Sequence, residues 1–131
     1  MSIQMELHKI IISEMQEQQI IVLKEVDGER KFPIVIGSTE AMAIDRRLKG
    51  IATARPMTHD LLATTIESMG GSIDHIEIND LQAHTFFAKI HIRQNGKLLE
   101  IDSRPSDAIA LGIATVVPIF VADHVLEEVS R

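Results

Sequence analysis

The hydrophobic positions of this 131-residue chain change period several times, and each change marks an element. Ile3, Met5 and Leu7 alternate with Gln4, Glu6 and His8 ahead of an apolar run, which predicts a strand over residues 3–12. Residues 20–26 and 31–36 are β-rich and flank Asp27-Gly28, a pair suited to a hairpin because both residues tolerate positive φ. Beyond Gly37 the period lengthens. Ser38 or Thr39 caps a helix running to about Lys49 with Ala41, Ile44 and Leu48 inward, and Gly50 ends it. Thr58 caps a second helix through Met69, with Leu62, Ile66 and Met69 inward and Gly70-Gly71 as the stop.

The second half follows the same order. Strands are predicted over 72–80, 84–94 and 98–102, with Asn95-Gly96 as a second hairpin turn and a helix from Ser106. A short strand over 118–121 and a helix capped by Asp123 complete the chain. Thr39-Glu40-Ala41-Met42-Ala43-Ile44 matches Ser106-Asp107-Ala108-Ile109-Ala110-Leu111 in chemical type at all six places, 67 positions apart, and the two hairpin turns are 68 apart. Internal duplication is the expectation, with repeats of about 1–70 and 71–131 in a single domain. Two βββαα units of this kind predict an α+β fold in which they share one mixed, barrel-like sheet with helices packed outside it.

Composition narrows the function classes. A 45% hydrophobic content supplies one core, and the absence of cysteine excludes disulfides, thiolate zinc sites and a cysteine nucleophile. It also fits a reducing compartment, so a cytoplasmic location is expected. The first residues carry neither a basic start nor an apolar segment of the signal-peptide kind. Residues 108–122 form the longest uncharged stretch, 15 residues interrupted by Gly112 and Pro118. That falls short of the roughly 20 a membrane helix needs, so no membrane partner is expected. The net charge of −6 opposes non-specific adhesion to a phosphate backbone, yet residues 30–55 hold six basic against two acidic side chains, a local +4 that leaves −10 elsewhere. Four phenylalanines and no tyrosine or tryptophan exclude a broad base-stacking platform.

Chemistry gathers at helix starts. In Asp102-Ser103-Arg104-Pro105-Ser106-Asp107, capping and dipole complementarity account for Pro105, Ser106 and Asp107. They do not account for Asp102 and Arg104, which have only Val35 and Gly37 at the 67-residue offset. These two either form an internal ion pair or serve a phosphate or carboxylate ligand at the helix N-terminus. Arg55-Pro56-Met57-Thr58-His59-Asp60 has the same two readings. His59 is a solvent-facing residue or, beside a dipole that opposes positive charge, a general base. Glu40, Asp60, Asp102 and Asp107 all lie in or next to first helical turns and are candidate ligands for Mg²⁺ or Mn²⁺ if the fold brings them together. The other five histidines lack ligand spacing, and no P-loop, GxGxxG, GxSxG or HExxH motif is present.

Three segments carry a resemblance: Pro33-Ile34-Val35-Ile36-Gly37 with Glu40-Ala41; Arg55 to Leu62; and Glu100 to Leu111. In this order they resemble the bifunctional nuclease family of bacteria and plants, over residues 5–126. The resemblance implies a duplicated β-rich α+β fold and nuclease activity on DNA and RNA, so nucleic acid is the expected partner. The roles are assigned from the residues themselves. Asp102 and Asp107, with Glu40 or Asp60, bind Mg²⁺ or Mn²⁺; His59 positions or deprotonates water; Arg55, Arg104 and Ser106 hold the phosphate. The competing expectation is a non-catalytic module that recognises an anionic ligand or a protein partner. Apolar strands with a free edge add the expectation of a homo-oligomer.

Overall fold

Strand alternation and glycine stops place most boundaries within a residue or two of those expected. The computed structural model describes residues 1–15 and 17–130. It contains β1 (Ser2–Ile11), β2 (Gln18–Glu25), β3 (Lys31–Gly37), α1 (Ser38–Leu48), α2 (Thr58–Ser68), β4 (Gly71–Gln82), β5 (Thr85–Gln94), β6 (Lys97–Ser103), α3 (Pro105–Thr115), β7 (Ile119–Ala122) and α4 (Asp123–Val129). The N-caps lie one or two residues before the expected ones: Gly37, Met57, Arg104 and Ala122 hold these positions, and none makes a side-chain capping bond.

All seven strands join one sheet in the order β3-β2-β1-β7-β4-β5-β6, antiparallel except where β4 runs parallel to β7. The expected internal duplication is not confirmed: the short strand β7, which lies between α3 and α4 and has no counterpart between α1 and α2, sits in the sheet between the two three-stranded meanders. The sheet is strongly curved. β3 and β5 are five places apart, which in a flat sheet means about 24 Å, yet the rings of Phe32 and Phe86 lie 5.7 Å apart. It does not close, since β3 and β6 remain at opposite edges without pairing.

The helices pack on the face towards which the sheet curls, not outside a barrel as expected. Ala108, Ile109 and Leu111 of α3, with Val125 and Leu126 of α4, share one core with Met5, Leu23, Phe32, Ile76 and Ile78. α3 approaches β4 closely at Gly112, where an added Cβ would lie 2.8 Å from Ile76 Cγ1. α1 and α2 pack beside α3, and α2 joins the shared core through Ala63 and, where β4 begins at Gly71, Ile66. Three residues expected to face inward, Leu48, Leu62 and Met69, are 54%, 42% and 71% exposed. In α2 the buried stripe is shifted by one position onto Ala63, because that helix leans on α3 with its small side. Among the described residues no helix is long and apolar enough to cross a membrane.

The turns divide differently from their sequences. Asn95-Gly96 has positive φ at both residues, whereas Asp27 and Gly28 do not. There, residues 26–30 form a longer loop in which the Glu25 carboxylate folds under Gly28 and receives the Arg30 amide at 3.0 Å. The turn between β4 and β5 is left-handed at Ala83 and His84 without a glycine.

Candidate active site

Three helices begin around one hollow. α1 starts at Ser38, α2 at Thr58 and α3 at Pro105, and each carries an acid three residues after its N-cap: Glu40, Asp60 and Asp107. Carboxylates favour this position because the first-turn N–H groups and the helix dipole present positive potential there. The N-termini of α1 and α3 are tied together by Arg104, the N-cap of α3. Its Nε and one Nη donate to Asp107 at 2.8 and 3.1 Å, and its Nη2 lies 3.3 Å from Glu40 Oε1. Hydrogen bonds and charge from Asp107, then the charge of Glu40, hold the Arg104 guanidinium protonated even more firmly than usual. Gly37 makes room for this arrangement, since a Cβ there would stand 3.0 Å from Glu40 Oε1.

These helix starts and the end of β6 enclose an open cleft of about 690 Å³. Its walls are apolar, with Met57, Leu62, Ile90, Ile101 and Ala110, and its rim is polar, with Glu40, His59, Arg104 and Asp107. The His59 side chain is 18% exposed, with its Nε2 3.8 Å from Asp60 Oδ1. Arg104 remains 67% exposed, so its ion pairs do not remove it from solvent. Four of the expected residues, Glu40, His59, Arg104 and Asp107, therefore bring their side chains to one site. Asp102 borders it only through the strand: it is paired with Lys89 in the β5–β6 register, and the pleat turns its side chain to the face opposite Ile101 and Ser103, away from the other four.

The remaining candidates lie elsewhere. Ser106 is 7% exposed and lines neither this cleft nor its neighbour. Asp60 accepts the Met57 amide at 3.0 Å, closing the N-terminus of α2, and faces a second hollow of about 340 Å³ together with Arg55. The two hollows share Ala43, Met57 and His59. Arg46 and Arg47 line the second hollow as well; their signal in the sequence was the local positive charge. The apolar walls of the cleft had no such signal, because Leu62 and Ile101 belong to patterns that read as core.

No group of three acidic or histidine side chains among the described residues has the spacing of a metal site. As the side chains stand, Glu40 and Asp107 are turned onto Arg104 and Asp60 onto a backbone amide, so the donor set does not fit a dication. A second polar cluster lies on the helix-free sheet face. His75 stacks on His91 at 4.0 Å, Asp74 and Glu77 bond the two rings at 2.7 and 3.0 Å, and the near-parallel rings do not converge on a common point.

Comparison with known proteins places this geometry in a family. The family model described as the bifunctional nuclease domain matches residues 21–131. An uncharacterised protein of Mycobacterium tuberculosis is 37% identical over 119 residues, covering 91% of this chain and 71% of its own length. Bifunctional nuclease 2 of Oryza sativa subsp. japonica is 29% identical over 112 residues, and the bifunctional nuclease of Oryza minuta 27% over 103. The matches cover 82% and 76% of this chain but only 34% and 31% of those plant proteins.

Proposed function

The chain belongs to the bifunctional nuclease domain family, and from that premise we propose that its cleft hydrolyses phosphodiester bonds of DNA or RNA. The observation that carries the reading is the convergence of three helix N-termini, Arg104 and His59 on one open cleft. Helix N-termini and a guanidinium are the groups that stabilise a phosphate whose negative charge grows towards the transition state. In this reading Arg104 holds two non-bridging oxygens of the scissile phosphate. Glu40 and Asp107 aim the guanidinium and yield to the phosphate. His59 orients the attacking water and accepts its proton. Metal assistance requires Arg104 to leave Glu40 and Asp107, and no step here is routed through an ion.

The test is cleavage of labelled single-stranded DNA and RNA across a gel-filtration peak of the purified protein, with and without Mg²⁺, Mn²⁺ or chelator. His59→Ala and Asp107→Asn are compared with the wild type. Activity should follow the protein peak and fall with both substitutions while folding is retained. Activity that survives them, or that separates from the peak, sinks the reading.

One observation favours the alternative of a non-catalytic anion-binding module: Arg104 already satisfies two carboxylates. Under that reading, an anion binds without turnover at any metal concentration. We also propose that copies associate through β6, an unpaired edge on which Leu98, Leu99 and Ile101 are 39–46% exposed. Light scattering of Leu99→Lys against the wild type reads this, and unchanged mass excludes it.

A further inference from the structure

We propose that the second hollow, lined by Arg46, Arg47 and Arg55, is a subsite for the sugar-phosphate backbone of single-stranded nucleic acid next to the bond held in the cleft. The assignment of a strand running between the two hollows rests on the nuclease reading above. Elsewhere among the described residues every arginine meets a carboxylate: Arg30, Arg93 and Arg104 each have one at 2.7–3.4 Å. The hollow departs from that pattern. Arg55 is exposed, and among the described residues its guanidinium has no ion pair or hydrogen bond. Arg46 offers Nη1 to Met57 Sδ at 3.7 Å, which leaves its charge unbalanced. Arg47 donates one N–H to the Ala114 carbonyl at 2.9 Å, keeping its other donors and its full charge. The one acid in the hollow, Asp60, spends an oxygen on the Met57 amide. Gathering three guanidiniums against one carboxylate is unfavourable until an anion enters.

Three further facts set the class of anion. The hollow and the cleft meet at Ala43, Met57 and His59, so a ligand that fills both must pass over the histidine. A duplex is stiff over about 150 base pairs and cannot bend into two adjoining hollows of nucleotide size, whereas a single strand can. None of the four phenylalanines lines either hollow, so recognition falls on phosphate and not on bases and is independent of sequence.

The test measures fluorescence anisotropy of a short labelled oligothymidylate, and of a labelled hairpin duplex, against wild type, Arg55→Gln and Arg46→Gln/Arg55→Gln at several KCl concentrations. Three phosphate contacts in the hollow contribute about −2 to the slope of log K against log salt for a single strand. Loss of one and two of them should reduce that share to about −1.4 and −0.7. The hairpin should bind at least about tenfold more weakly than the single strand. The Arg55 guanidinium makes no hydrogen bond or ion pair among the described residues, so Arg55→Gln reads the subsite even if the double variant folds poorly. An unchanged slope in Arg55→Gln, equal binding of the hairpin, or equal competition by polyglutamate overturns the assignment. Hydrolysis of bis(p-nitrophenyl) phosphate, which needs only the cleft, separates the two claims. Hydrolysis with unchanged slopes removes the subsite alone; arginine-dependent binding without hydrolysis removes the nuclease reading alone.

Discussion

Replacing Arg104 by alanine separates a structural tie from a chemical role, because the two assign it effects of different size. The side chain is 67% exposed, its partners Asp107 and Glu40 are 48% and 17% exposed, and one of the two pairs is bidentate. Exposed ion pairs are worth about 0.2–1 kcal/mol each, so the variant should lose about 1 kcal/mol. For a chain of 131 residues an unfolding entropy of about 2.1 cal/mol/K per residue turns this into a fall in Tm of about 4 °C. Removing a preorganised donor from a developing phosphate charge costs about 10²- to 10³-fold in kcat. Arg104→Ala should therefore melt only a few degrees below the wild type and lose about two or three orders of magnitude in single-turnover cleavage at a temperature well below either transition. Arg104→Lys keeps the charge but not the paired donors and should fall between them. A loss of less than about threefold in cleavage refutes the chemical role. A drop in Tm beyond about 10 °C shows instead that the residue mainly holds α1 against α3.

Three other substitutions test the supporting structure. The Glu25 carboxylate is held below its ordinary value of 4.5 by hydrogen bonds from the Arg30 side chain and amide. Its contribution is complete above that ordinary value and is lost as pH falls through the lowered one. Glu25→Gln should thus be less stable than wild type at neutral pH, with the gap in urea midpoint closing under acid; a gap independent of pH excludes this pair as its source. Gly112→Ala gains about 1 kcal/mol of helix propensity but drives its methyl to 2.8 Å from a fully buried Ile76. That overpacking costs about 1–3 kcal/mol, so urea unfolding should show net destabilisation, and a stabilised variant contradicts the close packing. Asp60→Ala removes the acceptor of the Met57 amide and should cost about 0.5–1 kcal/mol in thermal melts. The Mn²⁺ dependence of any cleavage should not move, and a shifted titration midpoint makes Asp60 a ligand.

How far the fold was legible depends on which interaction decides each element. β5 could be read residue by residue because Ala88, Ile90 and Ile92 on one face enter the core while Lys89, His91 and Arg93 on the other are polar, and alternation records that directly even though His91 is buried. α2 could not be phased, since a helix that leans on its neighbour through Ala63 leaves Leu61, Leu62 and Met69 in the open. Periodicity then points to the larger side chains, while the packing follows the smaller one. The turns divide in the same way. Asn95-Gly96 adopts the left-handed pair its residues favour, but Asp27-Gly28 is overridden by Glu25, whose carboxylate organises the loop from below. At Ala83-His84 the pairing of β4 with β5 imposes a conformation for which the residues give no local signal. Sheet order was beyond local pattern altogether, because β7 is four residues long and its place between β1 and β4 is decided by tertiary pairing.

The same distinction explains what became of the Asp102–Asp107 junction. Asp102 and Arg104 stand apart from the rest of the junction because neither is required by helix capping, yet the pleat of β6 separates them. Arg104 is turned to the starts of α1 and α3, while Asp102 lies across from Lys89. A two-residue spacing on a strand normally keeps side chains on one face, and this pair breaks that rule because β6 ends at Ser103, one residue before Arg104 caps α3. The strand-to-helix change rotates the arginine towards Glu40, the residue that matches Asp107 at the 67-residue offset. Two similar helix starts thus meet at a single guanidinium with no counterpart in the first half. An anion that displaces Glu40 and Asp107 from Arg104 would meet the N-termini of α1 and α3 at once. Occupancy of the cleft should therefore alter the α1–α3 contact as well as the chemistry at Arg104.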